Sequence, residues 1–250
     1  MNLHRLLIQP YFYTRYGFHR LTGTGAFKNS HTSAHPAAAD RRHPPLKQAL
    51  WQHHVKQFHA SSCSVASVVS CVNAIRALTE ASIRPIRQAD ILDRATTGHW
   101  KARMSDEGYR GRRGLPLPLL GQVVKESLRI YGLNVRQVDI VQTPKNHSGR
   151  SPVRIILQKR LREFDQTGNG LIIAHFDQGA FVPTFNIPHI SPVGAYDADT
   201  DRVTVLDVDP DQKDPYQVSF STFYKGLSTD YHRVLAAYGY GSGGYVYIQL

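Results

Sequence analysis

The stretch Gln57-Phe58-His59-Ala60-Ser61-Ser62-Cys63-Ser64-Val65-Ala66-Ser67-Val68-Val69-Ser70-Cys71-Val72-Asn73-Ala74-Ile75 decides how the chain is read. Val65, Val68, Val69, Val72, Ile75 and Leu78 recur at steps of three and four residues, which predicts a buried helix of about 16 residues beginning near Ser62. Cys63 therefore falls in its first turn. Unpaired backbone N–H groups and the positive end of the helix dipole meet a thiol there and favour its ionised, nucleophilic form. Cys71 sits deep in the same helix and reads as a small buried hydrophobe. Eight residues apart on one helix, the two cysteines lie about 12 Å from each other, beyond the reach of a disulfide. Both are expected as free thiols, which is compatible with a reducing compartment such as the cytoplasm.

Residues at particular distances give Cys63 a chemical reading. Gln57 lies six residues before it, placed for its side-chain amide to join the Cys63 backbone N–H in an oxyanion hole that stabilises charge developing on an attacked carbonyl. Downstream, His189-Ile190-Ser191-Pro192-Val193-Gly194-Ala195-Tyr196 opens an apolar run, and Asp207 closes the next one, 18 residues after His189. The acidic turn between Asp197 and Asp201 predicts a hairpin that brings His189 and Asp207 to the same end of adjacent strands. His189 is then expected as base and Asp207 as the group that orients it. Any one of these residues carries little weight in a chain with 13 histidines. The weight lies in the joint order Gln, Cys, His, Asp.

Around these residues the chain divides by pattern. Residues 1–45 are basic, show no clear helical or strand period and are expected as a poorly ordered N-terminal extension. Residues 46–250 are expected to form the catalytic domain. Helices are predicted at Arg87–Ala95, Leu117–Tyr131 and Val153–Phe164, the last stopped at Gly168. Strands are predicted at Leu171–His175, Ile190–Tyr196, Arg202–Val208, Arg233–Tyr240 and Tyr245–Gln249. Helices followed by antiparallel strands predict an α+β fold.

The net charge of +11 is unevenly spread: residues 1–50 hold seven Arg or Lys against Asp40 alone, or +6, leaving +5 for the other 200. A mildly basic body implies no specific nucleic-acid partner, although Tyr11, Phe12, Tyr13, Tyr16 and Phe18 are aromatics of the kind that stack on bases. No apolar run approaches the roughly 20 residues of a membrane-spanning helix, so no membrane span is expected. Leu6–Ile8 is too short for the core of a secretory signal.

The run Gln57–Ser67, followed by Val68, Val69, Val72-Asn73-Ala74 and Leu78, resembles the nucleophile segment of phytochelatin synthases, where a glutamine also precedes the cysteine by six. Leu171 through His189–Tyr196 to Val205-Leu206-Asp207-Val208 is similar to that family's second catalytic segment and has the same His-to-Asp spacing. Weaker likeness occurs at Gly114–Gly132, Pro215-Tyr216 and Gly244–Tyr247.

The resemblance implies a papain-like cysteine proteinase fold of the short bacterial type, a helical half packed on an antiparallel β-sheet, with Cys63, His189, Asp207 and Gln57 catalytic. It implies a glutathione γ-glutamylcysteinyltransferase or glutathione hydrolase linked to heavy-metal detoxification. The partners implied are glutathione and its metal thiolates, so that Cd or Zn ions arrive as glutathione thiolate complexes. No tightly bound cofactor and no metal site of the protein's own are expected, and a homodimer is left open.

Three departures accompany the resemblance. Ser64 stands where the family usually has glycine. Pro210 stands where the family commonly has an arginine for the glutamyl carboxylate, which leaves Lys213, Arg202 or another cation for that task. The sequence also lacks the cysteine-rich C-terminal extension of the plant enzymes, which favours hydrolysis or a single transfer. Rival readings are another papain-like peptidase that cuts a double-glycine leader peptide, and a metal-binding module around His53, His54 and His59.

Overall fold

A computed structural model describes residues 3–28, 32–33, 44–79, 84–145 and 151–250. In chain order its elements are α1 (Leu3–Thr22), β1 (Thr32–Ser33), α2 (Pro45–Gln52), α3 (Cys63–Thr79), α4 (Gln88–Arg94), α5 (Trp100–Arg103), α6 (Leu117–Ile130), β2 (Gln137–Gln142), α7 (Pro152–Thr167), β3 (Gly170–Asp177), β4 (Pro188–Asp197), β5 (Arg202–Val205), β6 (Tyr216–Ser219), α8 (Phe220–Leu227), α9 (His232–Leu235) and β7 (Gly244–Gln249). The strands form one sheet in the order β1-β6-β5-β4-β3-β7-β2, every neighbouring pair antiparallel. The fold is α+β, with a helical half set against this sheet.

Helix α3 is the spine of that half. Its residues from Cys63 to Ile75 are all buried, as expected of a helix enclosed on every side rather than one with a wet face. Several of its small polar side chains are therefore spent on the backbone. Ser67 Oγ is within hydrogen-bonding reach of both Cys63 O (2.8 Å) and Ile190 O (2.9 Å), which ties the first turn of α3 to β4. Asn73 bonds Ile86 twice, Nδ2 donating to the carbonyl at 2.9 Å and Oδ1 accepting the N–H at 2.8 Å. A buried polar group left without such a partner costs about 1–3 kcal/mol. Leu78, by contrast, reaches solvent at 43% exposure, so the buried stripe ends before the helix does.

The β4–β5 hairpin forms where the acidic turn predicts it. Asp197 Oδ1 accepts the N–H groups of Asp199 and Thr200, and its Oδ2 accepts the Thr200 hydroxyl. Pairing runs from Asp197 opposite Arg202 to Ala195 opposite Thr204, then slips so that Val193 faces Val205. Gly194 is the extra residue of this bulge. Its carbonyl accepts Trp51 Nε1–H at 2.9 Å, and a Cβ there would lie 2.7 Å from the Leu206 side chain. Helix α7 stops at Gly168, whose φ of 67° is the left-handed cap that glycine supplies without strain.

Two segments differ from expectation. In place of the strand expected at Arg233–Tyr240, helix α9 is followed by a short helical turn at Ala236–Tyr238. The apolar run Val234 to Ala237 is too short for its period to separate strand from helix, and β7 fills the place between β3 and β2. The basic N-terminal segment, which lacks a clear helical period, contains the 20-residue helix α1. Its half-buried positions Ile8, Phe12, Tyr16 and His19 do follow helical steps, but Tyr11, Tyr13, Phe18 and Leu21 are exposed apolar residues on other sides that blur the pattern. Residues 1–2, 29–31 and 34–43 of the expected extension lie outside the described residues.

Candidate active site

Cys63 opens α3, and Ser62, fully buried before it, holds the approach. The Ser62 hydroxyl accepts the His59 N–H at 2.9 Å and donates to the His59 carbonyl at 2.8 Å. Ser64, the departure from glycine, does not face the approach to the thiol. Its Oγ accepts Trp100 Nε1–H at 3.0 Å and lies 4.0 Å from Met104 Sδ, inside the helical half.

His189 lies near the start of β4, in register with Phe176 of β3, and the Phe176 ring packs edge-on to its imidazole with centroids 5.5 Å apart. His189 Nε2 and Asp207 Oδ1 are 2.7 Å apart. That leaves Nδ1 for the other neighbour. Cys63 stands beside the same ring, near enough for its sulfur to act on the imidazole's pKa. Burial alone would lower the imidazole's pKa, but the charge and hydrogen bond of Asp207, with the contributions of Cys63, outweigh it and raise it to about 10. The ring is thus held as imidazolium between a carboxylate and a thiol.

Asp207 is fully buried, two residues past the end of β5. Burial would raise its pKa, yet the His189 cation and the surrounding donors hold it below the usual carboxylate range. Besides His189, Oδ1 accepts the Asp209 N–H at 2.9 Å, with Ser191 Oγ at 3.5 Å. Oδ2 accepts the Tyr216 hydroxyl at 2.7 Å. Lys56 bonds the Asp207 carbonyl at 2.6 Å and the Gln212 carbonyl at 2.5 Å. Gln57, next in the chain, is anchored by its N–H to Val208 O at 2.8 Å, and its side-chain Oε1 is buried without a hydrogen-bond partner.

The sequence reading assigned no role to Tyr216, Ser191 or Lys56. Pro215-Tyr216 stands out only as a weak likeness, and no spacing rule connects a tyrosine on β6 to a carboxylate two residues past β5. Cys71 is buried without contact to this site, and burial pushes its thiol up. Neither cation named as a stand-in for the missing arginine lines the adjoining cavity. Arg202 donates to Gln217 O at 3.0 Å, and Lys213 is exposed in the loop after Pro210. Among the described residues the cation that lines the cavity is Arg113, whose Nε donates to Ser61 Oγ at 2.7 Å and whose Nη2 lies 3.5 Å from Asp106.

The cavity has a volume of about 810 Å³ and is lined by Ser61, two residues before Cys63, and by Pro188, immediately before His189. No cluster of three or more His, Cys, Asp or Glu side chains arranged to hold a metal ion occurs among the described residues. None of their helices is long and apolar enough to cross a membrane.

A family model described as phytochelatin synthase matches residues 35–240, most of the chain. No curated protein matches the chain.

Proposed function

The chain belongs to the phytochelatin synthase family, and on that premise we propose that it cleaves the Cys–Gly bond of glutathione through a thioester on Cys63. The reading is supported most by one arrangement, the buried His189 imidazole held between Asp207 and the thiol that opens α3. The Cys63 thiolate attacks the cysteinyl carbonyl, and the oxyanion is met by the Cys63 N–H and the Gln57 side chain. His189 gives its proton to the departing amine, so glycine leaves neutral and γ-glutamylcysteine stays esterified to the sulfur. His189 then takes a proton from the incoming nucleophile. Water yields free γ-glutamylcysteine, and the amine of a second glutathione yields a phytochelatin. Arg113 is the cation placed to meet a substrate carboxylate, and metal ions enter as thiolate complexes of the substrate, consistent with a role in heavy-metal detoxification.

The test is product analysis. Purified protein incubated with glutathione, with and without Cd or Zn, is expected to release glycine, and Cys63→Ala to release none while remaining folded. Cleavage of a double-glycine leader peptide with no glycine released from glutathione would replace this reading by that of a peptidase.

A further inference from the structure

We propose that α1 is a specificity wall of the substrate cleft, its Ile8 and Phe12 completing with Ile187, Pro188 and Leu235 a subsite for an apolar side chain of a peptide substrate. The inference rests on the reading of Cys63 as an acylated nucleophile and extends it to what else the cleft selects.

One cavity joins all the parts. Ile8 and Phe12, one helical turn apart on α1, line the same 810 Å³ space as Ser61, two residues before Cys63, and Pro188, immediately before His189. That volume falls within the roughly 300–1,000 Å³ of small-molecule sites. Helix α1 also lies before the segment that matches the family, which begins at residue 35.

The wall is fastened to the segment that carries His189. Arg15 Nη2 lies 3.6 Å from Asp177 Oδ2, and Asp177 pairs with Pro188 across the β3–β4 ladder. Asp177 is almost completely buried, with Asn186 Nδ2 and the Gly179 N–H as its other donors. The rings of Tyr13 and Tyr16 pack on Phe185, with centroids at 5.0 and 5.3 Å. A wall of Ile, Phe, Pro and Leu gains nothing from the charged ends of glutathione, whereas a branched aliphatic group against it leaves water.

The experiment uses the full chain carrying Cys63→Ala, so that binding is read without turnover. Calorimetry compares glutathione with two leucine probes, γ-Glu-Cys-Leu and glutathione extended at its amino end by leucine, which place the apolar group on opposite sides of the scissile bond. One probe is expected to bind about tenfold more tightly than glutathione, the gain of burying a leucine side chain. Ile8→Ser with Phe12→Ser is expected to erase that gain and leave glutathione binding unchanged, and Phe12→Trp, which fills the subsite with α1 in place, to erase it too. The proposal is overturned if neither probe gains, or if the gain survives in the variants. Glycine release by the unmodified chain is read separately: its absence, with the leucine preference intact, removes the glutathione reading and leaves the wall standing.

Discussion

Tyr216 donates its hydroxyl to Oδ2 of Asp207 at 2.7 Å, while His189 uses Oδ1 at the same distance. The two partners divide one fully buried carboxylate between them, so neither oxygen is left without a donor. Removing the tyrosine hydroxyl strands Oδ2 in a site that water does not reach. Tyr216→Phe is therefore expected to destabilise the protein by about 1–3 kcal/mol, read as a lower urea midpoint at unchanged slope. Glycine release should slow by roughly tenfold where ~1.4 kcal/mol of that support is felt in the transition state. An unchanged midpoint would show that the hydroxyl does not support the carboxylate.

The raised His189 pKa makes a statement about stability. A group whose pKa rises on folding binds its proton more tightly in the native state. The stabilisation is thus complete below the unfolded value of about 6.5 and is lost as pH climbs through about 10. Asp207, held low, acts at the other end: its contribution is present above the ordinary carboxylate range and fades as pH falls through its lowered value. Stability should plateau in weak acid and decline toward alkaline pH. In Asp207→Asn only burial and the thiol remain, burial lowers the imidazole's pKa, and the alkaline decline should disappear. Imidazole carbon NMR shifts across pH give the readout, and a His189 ring that still titrates above its usual range in the variant would refute the assignment.

How much of this was legible in the sequence depends on the range of each signal. Helix α3 announces itself because an enclosed helix must be apolar at every helical step, and the β4–β5 hairpin because Asp197 writes its turn chemistry into adjacent residues. His189 and Asp207 follow from that hairpin. Tyr216 and Lys56 do not, since each meets Asp207 through a strand pairing or loop crossing that no local period encodes. The apolar run at Val234 illustrates the opposite failure: its composition suits a strand, but β7 occupies the position next to β3. Helix α1 was hidden because aromatics sit on its exposed sides as well as on the side that meets the cleft.

Gln57 supplies the next prediction. Its backbone is fixed by the bond to Val208 O, immediately after Asp207, while its side-chain oxygen is buried without a partner. Gln57→Ala keeps that backbone anchor and deletes a poorly satisfied group, so stability should hardly move. Loss of an oxyanion donor typically lowers kcat by roughly 10²–10³-fold. Single-turnover glycine release is the measurement, and a variant that works at the full rate would remove Gln57 from the chemistry.

The two thiols allow a chemical test that needs no substrate. Cys71 is completely buried, and burial pushes its pKa up, which keeps it protonated and shielded. Cys63 is at the tip of α3 beside the His189 ring, an arrangement in which a neighbouring imidazole activates a thiol nucleophile. Native protein treated with iodoacetamide at neutral pH should gain one adduct, mapped by peptide mass to Cys63, and Cys71 should react only in urea. His189→Ala removes the imidazole next to the sulfur, so adduct formation at Cys63 should slow. Equal rates with and without His189 would mean that the imidazole does not activate the thiol, and native labelling of Cys71 first would mean that the helix does not enclose it.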